Sequence, residues 1–181
     1  MSRFRKLTEE VVFEGTLVTA TRTTFADPSG ASFERDVVHH PGAVVVVPVL
    51  DDGRVLLVRQ FRAAIADDLL ELPAGKRDVD GEPVETTAHR ELAEEVGMTS
   101  RRMELLAEFY NSPGFCDEHS FLFLARDLRE CATSAQGIEE EHMTIESVDL
   151  ADVPAMIADR RLVDAKSIIG LLLAREALGA R

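Results

Sequence analysis

Four charged residues crowd two consecutive turns of one stretch of the chain: Arg90, Glu91, Glu94 and Glu95. Glu91 and Glu95 are four apart, so a helix sets them on one face, one turn above the other. At about 100° per residue, Val84, Ala88 and Leu92 mark the apolar side, and the two glutamates fall on its margin rather than opposite it. Carboxylates so placed lose part of their water. Like charges at that spacing destabilise a helix by roughly a few tenths of a kcal/mol, and desolvation adds to the cost unless a cation compensates. A hard, oxygen-preferring cation such as Mg²⁺ meets that need. Taken alone, the same four residues also fit a solvated charged face, which is what most acidic clusters on helices are.

Composition supports a cation. The net charge is −13 and the pI about 4.8, so the surface repels phosphate backbones and nucleic acid is excluded as the expected partner. An acidic protein that handles phosphates needs metal to bridge like charges. The five histidines, His39, His40, His89, His119 and His142, show no zinc-hydrolase spacing, so oxygen ligands are expected. Cys116 and Cys131 read as free thiols. The longest apolar run, Ala43 to Leu50, is too short for a bilayer, and the amino terminus lacks the apolar stretch of a signal. A cytoplasmic protein with no membrane partner is expected.

With 181 residues, 45% of them hydrophobic, the chain can bury one ordinary core. Val11 to His40 alternates like strands around the turn Asp27-Pro-Ser-Gly, which predicts a hairpin region. Ala43 to Leu50 and Arg54 to Arg59, joined by Asp51-Asp52-Gly53, predict a second hairpin of two central strands. Glu82 to Val96 predicts the helix that carries the acidic cluster, with Pro83 in its first turn and Gly97 as its stop. Further strands are expected at Leu105 to Tyr110, Phe121 to Ala125 and Met143 to Val148. Two helices should follow, one capped by Asp152 and one by Asp164, the latter ending near Leu178. Mixed strands with few helices argue for an α+β or layered mixed-sheet domain rather than a doubly wound one.

The segment from Gly75 to Met98 resembles the Nudix box, G-x5-E-x7-R-E-U-x-E-E-x-G-U, with U aliphatic. Glu82, then seven residues, Arg90-Glu91-Leu92, Ala93, Glu94-Glu95, Val96, Gly97 and Met98 match every fixed position from the first glutamate onward. Six residues rather than five separate Gly75 from Glu82, a loop insertion that leaves the helix register untouched. The resemblance implies an α/β/α sandwich around a mixed sheet. It also implies Glu91 and Glu95 as principal metal ligands, the carbonyl of Ala74 as another, and Glu94 as a further or water-mediated one. Arg90 would orient the glutamates and Glu82 would be mainly structural.

Outside the box, Arg59-Gln-Phe-Arg62, Glu71-Leu-Pro-Ala-Gly75 and Asn111-Ser-Pro-Gly-Phe115 with Asp117-Glu118 resemble the ADP-ribose pyrophosphatase branch, as does Pro113, sixteen residues after Gly97. Each has an ordinary reading too: Arg62 as a surface arginine, Ser112-Pro-Gly as a common turn. The branch implies that Arg59, Arg62, Ser112, Pro113, Gly114 and Glu118 contact substrate. An arginine can grip a diphosphate through charge-assisted hydrogen bonds, and a Pro-Gly loop can approach a ribose or phosphate closely. It further implies a base among Glu139, Glu140 and Glu141, with Glu139 preferred, and Glu141 as a metal ligand. The amino-terminal strands, residues 1 to 40, would form a small antiparallel sheet that exchanges with a second subunit and helps bind adenine, so a homodimer is expected, with residues 41 to 181 as the hydrolase domain.

The expected reaction is hydrolysis of ADP-ribose to AMP and ribose 5-phosphate with Mg²⁺, or Mn²⁺ in its place. The same chemistry on a nucleotide sugar, a dinucleoside polyphosphate or an oxidised nucleotide is the nearest alternative. A non-catalytic domain that senses ADP-ribose is the alternative of another class.

Overall fold

A computed structural model describes residues 3–132 and 142–179. The chain forms two compact units, one of Met1–Gly42 with Phe109–Ser120 and one of Ala43–Glu108 with Phe121–Arg181.

In the first unit, β1 (Arg5–Glu14), β2 (Thr19–Ala26) and β3 (Ser32–His39) form an antiparallel sheet in the order β1-β2-β3. The turn from β2 to β3 is local chemistry. The Asp27 carboxylate accepts from the backbone of Ser29 and Ala31 at 2.8 and 2.9 Å, and Gly30 takes the positive φ. Strand β1 begins six residues before the alternation at Val11 suggests. All ten of its residues are exposed, and two register shifts interrupt its pairing, so no buried face imprints a period of two on the sequence.

The second unit contains β4 (Ala43–Pro48), β5 (Arg54–Arg62), β6 (Asp67–Glu71), β7 (Ala74–Lys76), α1 (Val84–Val96), all but the last two residues of β8 (Met98–Tyr110), all but the first two of β9 (His119–Glu130), β10 (Thr144–Asp149), α2 (Val153–Ala158) and α3 (Ala165–Leu178). The sheets run β10-β5-β6 and β7-β4-β9-β8. The expected hairpin of β4 with β5 is therefore corrected. Its turn exists, closed by Leu50 N–H to Arg54 O at 2.8 Å, but only Val49 and Val55 bridge before the strands join different sheets. Every residue of β4 is buried, and a strand buried on both faces does not specify its neighbour by pattern. Arg59 and Arg62 lie instead in the β5–β6 pair, opposite Leu70 and Asp67.

Alternation along β4 produces the layers. Val44 and Val46 pack with Ala88, Leu92 and Val96 of α1, whereas Val47 lies against Gly170 of α3. Helices α1 and α3 thus cover opposite faces of β4, as an α/β/α sandwich requires. Helix α1 starts at Val84 rather than Glu82. Pro83 is extended at ψ 140° and is its N-cap, and Gly97, at φ 64°, ends it with an N–H bond to Ala93 O. Strands β8 and β9 run well beyond the segments expected from sequence, and β6 and β7 were not expected at all. Asp152 does not cap α2 with its side chain, because a 3₁₀ turn at Leu150–Asp152 leads into the helix and Asp149 caps that turn. Asp164 does cap α3, and Gly179 ends it. Among the described residues no helix is long and apolar enough to cross a membrane.

Candidate active site

Helix α1 meets the β7 backbone through its acidic margin. Glu91 and Glu95 retain only 7% and 6% of their exposure, on the face that also buries Thr87, Ala88 and Leu92. Glu95 accepts the Ala74 N–H at 3.0 Å. Glu91 lies so close to Gly75 that a Cβ there would overlap its carboxyl group, so this glycine is required for space. The register that fixes both contacts comes from β4, where Val45 pairs with Ala74 and Val44 with Gly75.

Arg90 gathers the remaining carboxylates. Its Nη1 donates to Glu91 at 2.8 Å and Glu94 at 3.1 Å, and its Nη2 to Glu82 at 3.3 Å and Lys76 O at 3.5 Å. Burial works against the Arg90 charge, but the field of Glu91 and the bonds to Glu82 and Glu94 outweigh it and hold the guanidinium protonated more firmly than usual. The Thr87 hydroxyl, 2.8 Å from Glu82, lowers that carboxyl below its ordinary range, and Arg90 adds to the effect. This puts Glu82 outside the helix, tying its first turn to Arg90.

Three glutamates, Glu82, Glu91 and Glu94, thus bond one arginine, and Glu91 and the neighbouring Glu95 are nearly dry. That excess of negative charge, the wholly oxygen donor set and the glycine cradle under Glu91 fit a hard divalent cation. Among the described residues no three carboxylate, imidazole or thiol side chains are gathered as a ready ligand cluster.

The other expected residues divide by unit. Arg62 forms a paired bond with Glu71, Nε to Oε1 at 2.9 Å and Nη2 to Oε2 at 2.5 Å. That bond, helped by the charges of Glu71, Glu95 and Asp164, raises the Arg62 pKa against its burial. Arg59 bonds Glu146 of β10 at 2.7 Å. In the first unit, Ser112 accepts from Phe115 and Cys116 to close the Pro-Gly turn, and Glu118 accepts from Asn111 N–H. Pro113 and Gly114 line a recess of about 330 Å³ with Phe25, Arg35 and Tyr110. Glu139, Glu140 and Glu141 lie outside the described residues.

Sequence reasoning missed three groups. Glu71, quoted from the sequence only as the start of the run into Gly75 and given no role there, is buried at the end of β6. Ser167 shows in sequence only as the third residue after a cap. His39 bonds Asp117 at 2.6 Å and Glu9 at 3.1 Å, a cluster assembled from distant segments. The Asp117 bond raises the His39 pKa, burial opposes it, and Glu9 adds to the rise.

The comparisons agree with this geometry. The family model of the NUDIX domain matches residues 38–168. The chain is 35% identical to a protein named ADP-ribose pyrophosphatase from Bacillus subtilis, over 98% of this chain and 96% of that one. It is 34% identical to a methanol dehydrogenase activator from Bacillus methanolicus, over 93% and 92%. A crystal structure described as an ADP compounds hydrolase superimposes with a TM-score of 0.86 over 99% of this chain and 96% of the other, at 23% identity. With the box helix seated on β7 and the family matched across most of its length, the chain belongs to the Nudix family and is a Nudix pyrophosphohydrolase.

Proposed function

We propose that the protein hydrolyses the pyrophosphate bond of ADP-ribose to AMP and ribose 5-phosphate with the help of Mg²⁺. The observation that carries the chemistry is the pair Glu91 and Glu95, buried and backed onto Ala74 and Gly75. The substrate rests on the whole-length likeness to the Bacillus subtilis relative of that name.

Glu91, Glu95 and the Ala74 carbonyl would hold the cation in this reading, with Glu94 as a further or water-mediated ligand and Glu141 as another. When bound, such a cation neutralises the diphosphate and lowers the pKa of water beside it. Arg90 orients Glu91 and Glu94 through its Nη1. Arg62, fixed by Glu71, offers positive charge to the non-bridging oxygens, where charge develops. Arg59, Ser112, Pro113, Gly114 and Glu118 contact the substrate, and Glu139 takes the proton from the attacking water. Attack on one phosphorus breaks its bond to the bridging oxygen, which leaves on the other phosphate. A Glu139→Gln variant that binds Mn²⁺ normally yet keeps full activity would remove the base assignment.

The deciding experiment is product analysis with Mg²⁺ and, separately, ADP-ribose, a nucleotide sugar, a dinucleoside polyphosphate and oxidised dGTP. AMP and ribose 5-phosphate from ADP-ribose, in preference to the others and abolished by chelator, is the expected result. Preference for another compound replaces the substrate, and turnover of none replaces catalysis with sensing.

A homodimer through the amino-terminal strands belongs to the same proposal. It is supported by Leu7, Val11, Val12 and Phe13, all exposed on edge strand β1. Light scattering should give about twice the 20.0 kDa chain mass; a monomer at working concentration would reject it.

A further inference from the structure

The backbone that supports the two buried glutamates is itself held from α3, far along the chain. The fully buried Ser167 hydroxyl accepts the Leu72 N–H at 2.7 Å and donates to Asp164 at 2.7 Å. Asp164 also caps the helix through Ser167 N–H and pairs with Lys166, each bond between 2.8 and 2.9 Å. Leu72 lies between Glu71, bonded to Arg62, and the Pro73-Ala74-Gly75 run, where Pro73 O accepts Val46 N–H. Four consecutive residues of the short segment Glu71 to Gly75 are thus fixed: Glu71 by Arg62, Leu72 by Ser167, Pro73 by Val46 of β4 and Ala74 by Glu95.

From this connected set we infer that Ser167 is a positioning residue for the Nudix reaction, acting through Leu72 to set the Ala74 and Gly75 backbone on which Glu95 and Glu91 rest. The inference rests on the reading of Glu91, Glu95 and Ala74 as the cation site. A hydroxyl is required because one atom must accept from an amide and donate to a carboxylate at once, and alanine leaves the Leu72 N–H buried without that acceptor. A hydroxyl with a merely structural role would contribute stability and nothing more. A positioning hydroxyl alters the geometry of the ligands, and groups that orient metal ligands typically change affinity or rate by roughly tenfold or more when removed.

The test compares the parent with Ser167→Ala and with Val153→Ala, a buried truncation in α2 that serves as a stability control. Thermal melts rank their stabilities, equilibrium Mn²⁺ binding is read by electron paramagnetic resonance without substrate, and kcat and KM are measured at saturating metal. Ser167→Ala should bind Mn²⁺ roughly tenfold more weakly and lose a similar factor in kcat, with KM for the diphosphate nearly unchanged. Val153→Ala should melt earlier yet keep the parent's Mn²⁺ affinity and kcat. If Ser167→Ala melts earlier but matches the parent in both, or if Val153→Ala shows the same losses, the hydroxyl is structural and the inference fails. A parent that binds no Mn²⁺ overturns the reading of the cation site, and this inference with it.

Discussion

A methyl group at position 75 would occupy space that the Glu91 carboxyl group already fills. Gly75→Ala should therefore keep its fold but lose activity by at least about 100-fold, since displacing a reacting group by about 1 Å has that effect. Near-parental kcat in a variant with a normal circular dichroism spectrum would refute the close-packed arrangement. His39 offers a second residue-level prediction, because its pKa is raised by Asp117 and then Glu9. A raised histidine pKa gives stability that is complete below its ordinary value of about 6.5 and fades as pH climbs through the raised one. The melting-temperature gap between parent and His39→Asn should accordingly be wide in mildly acid buffer and narrow in alkaline buffer; a gap independent of pH removes the ion-pair account. Glu91 and Glu95 were legible beforehand because a helical repeat fixes which residues share a face. Glu71, Ser167 and His39 were not, since each partner lies on another element and no local spacing encodes it.

Among elements, α3 packs without room for an added methyl group. A Cβ on Gly170 would come within 2.5 Å of Leu72 and 3.0 Å of Leu122, both fully buried and so without room to yield. Alanine gains up to about 1 kcal/mol of helix propensity there but meets an overpacking cost of about 1–3 kcal/mol. Gly170→Ala should be destabilised by roughly 1–2 kcal/mol in urea unfolding, and a stabilised variant would contradict the packing of α3 on β4. Helices α1 and α3 were readable because caps and a glycine stop bracket each one. The β4–β5 pairing was misread, and β1 was foreseen only in part, for opposite reasons: one strand is buried on both faces, the other on neither. Alternation informs only where the two faces differ.

For the molecule as a whole, a net charge of −13 means self-repulsion that any bound cation relieves. A cation held at 100 times its dissociation constant adds about 2.7 kcal/mol, or roughly 5–10 °C in a domain of this size. Millimolar Mg²⁺ should raise the melting temperature well beyond sodium chloride of equal ionic strength; equal shifts would indicate screening alone and no specific site. The composition foretold this acidity but not how the chain divides. The first unit joins Met1–Gly42 to Phe109–Ser120, and His39 and Asp117, 78 positions apart, bond within it. On a ribosome adding about 5–20 residues each second, the first three strands therefore emerge roughly 4–16 s before the segment that completes them. Slow decoding lengthens that wait, during which the apolar edge of a nascent sheet lies open to neighbouring chains, and chaperone demand should rise with it.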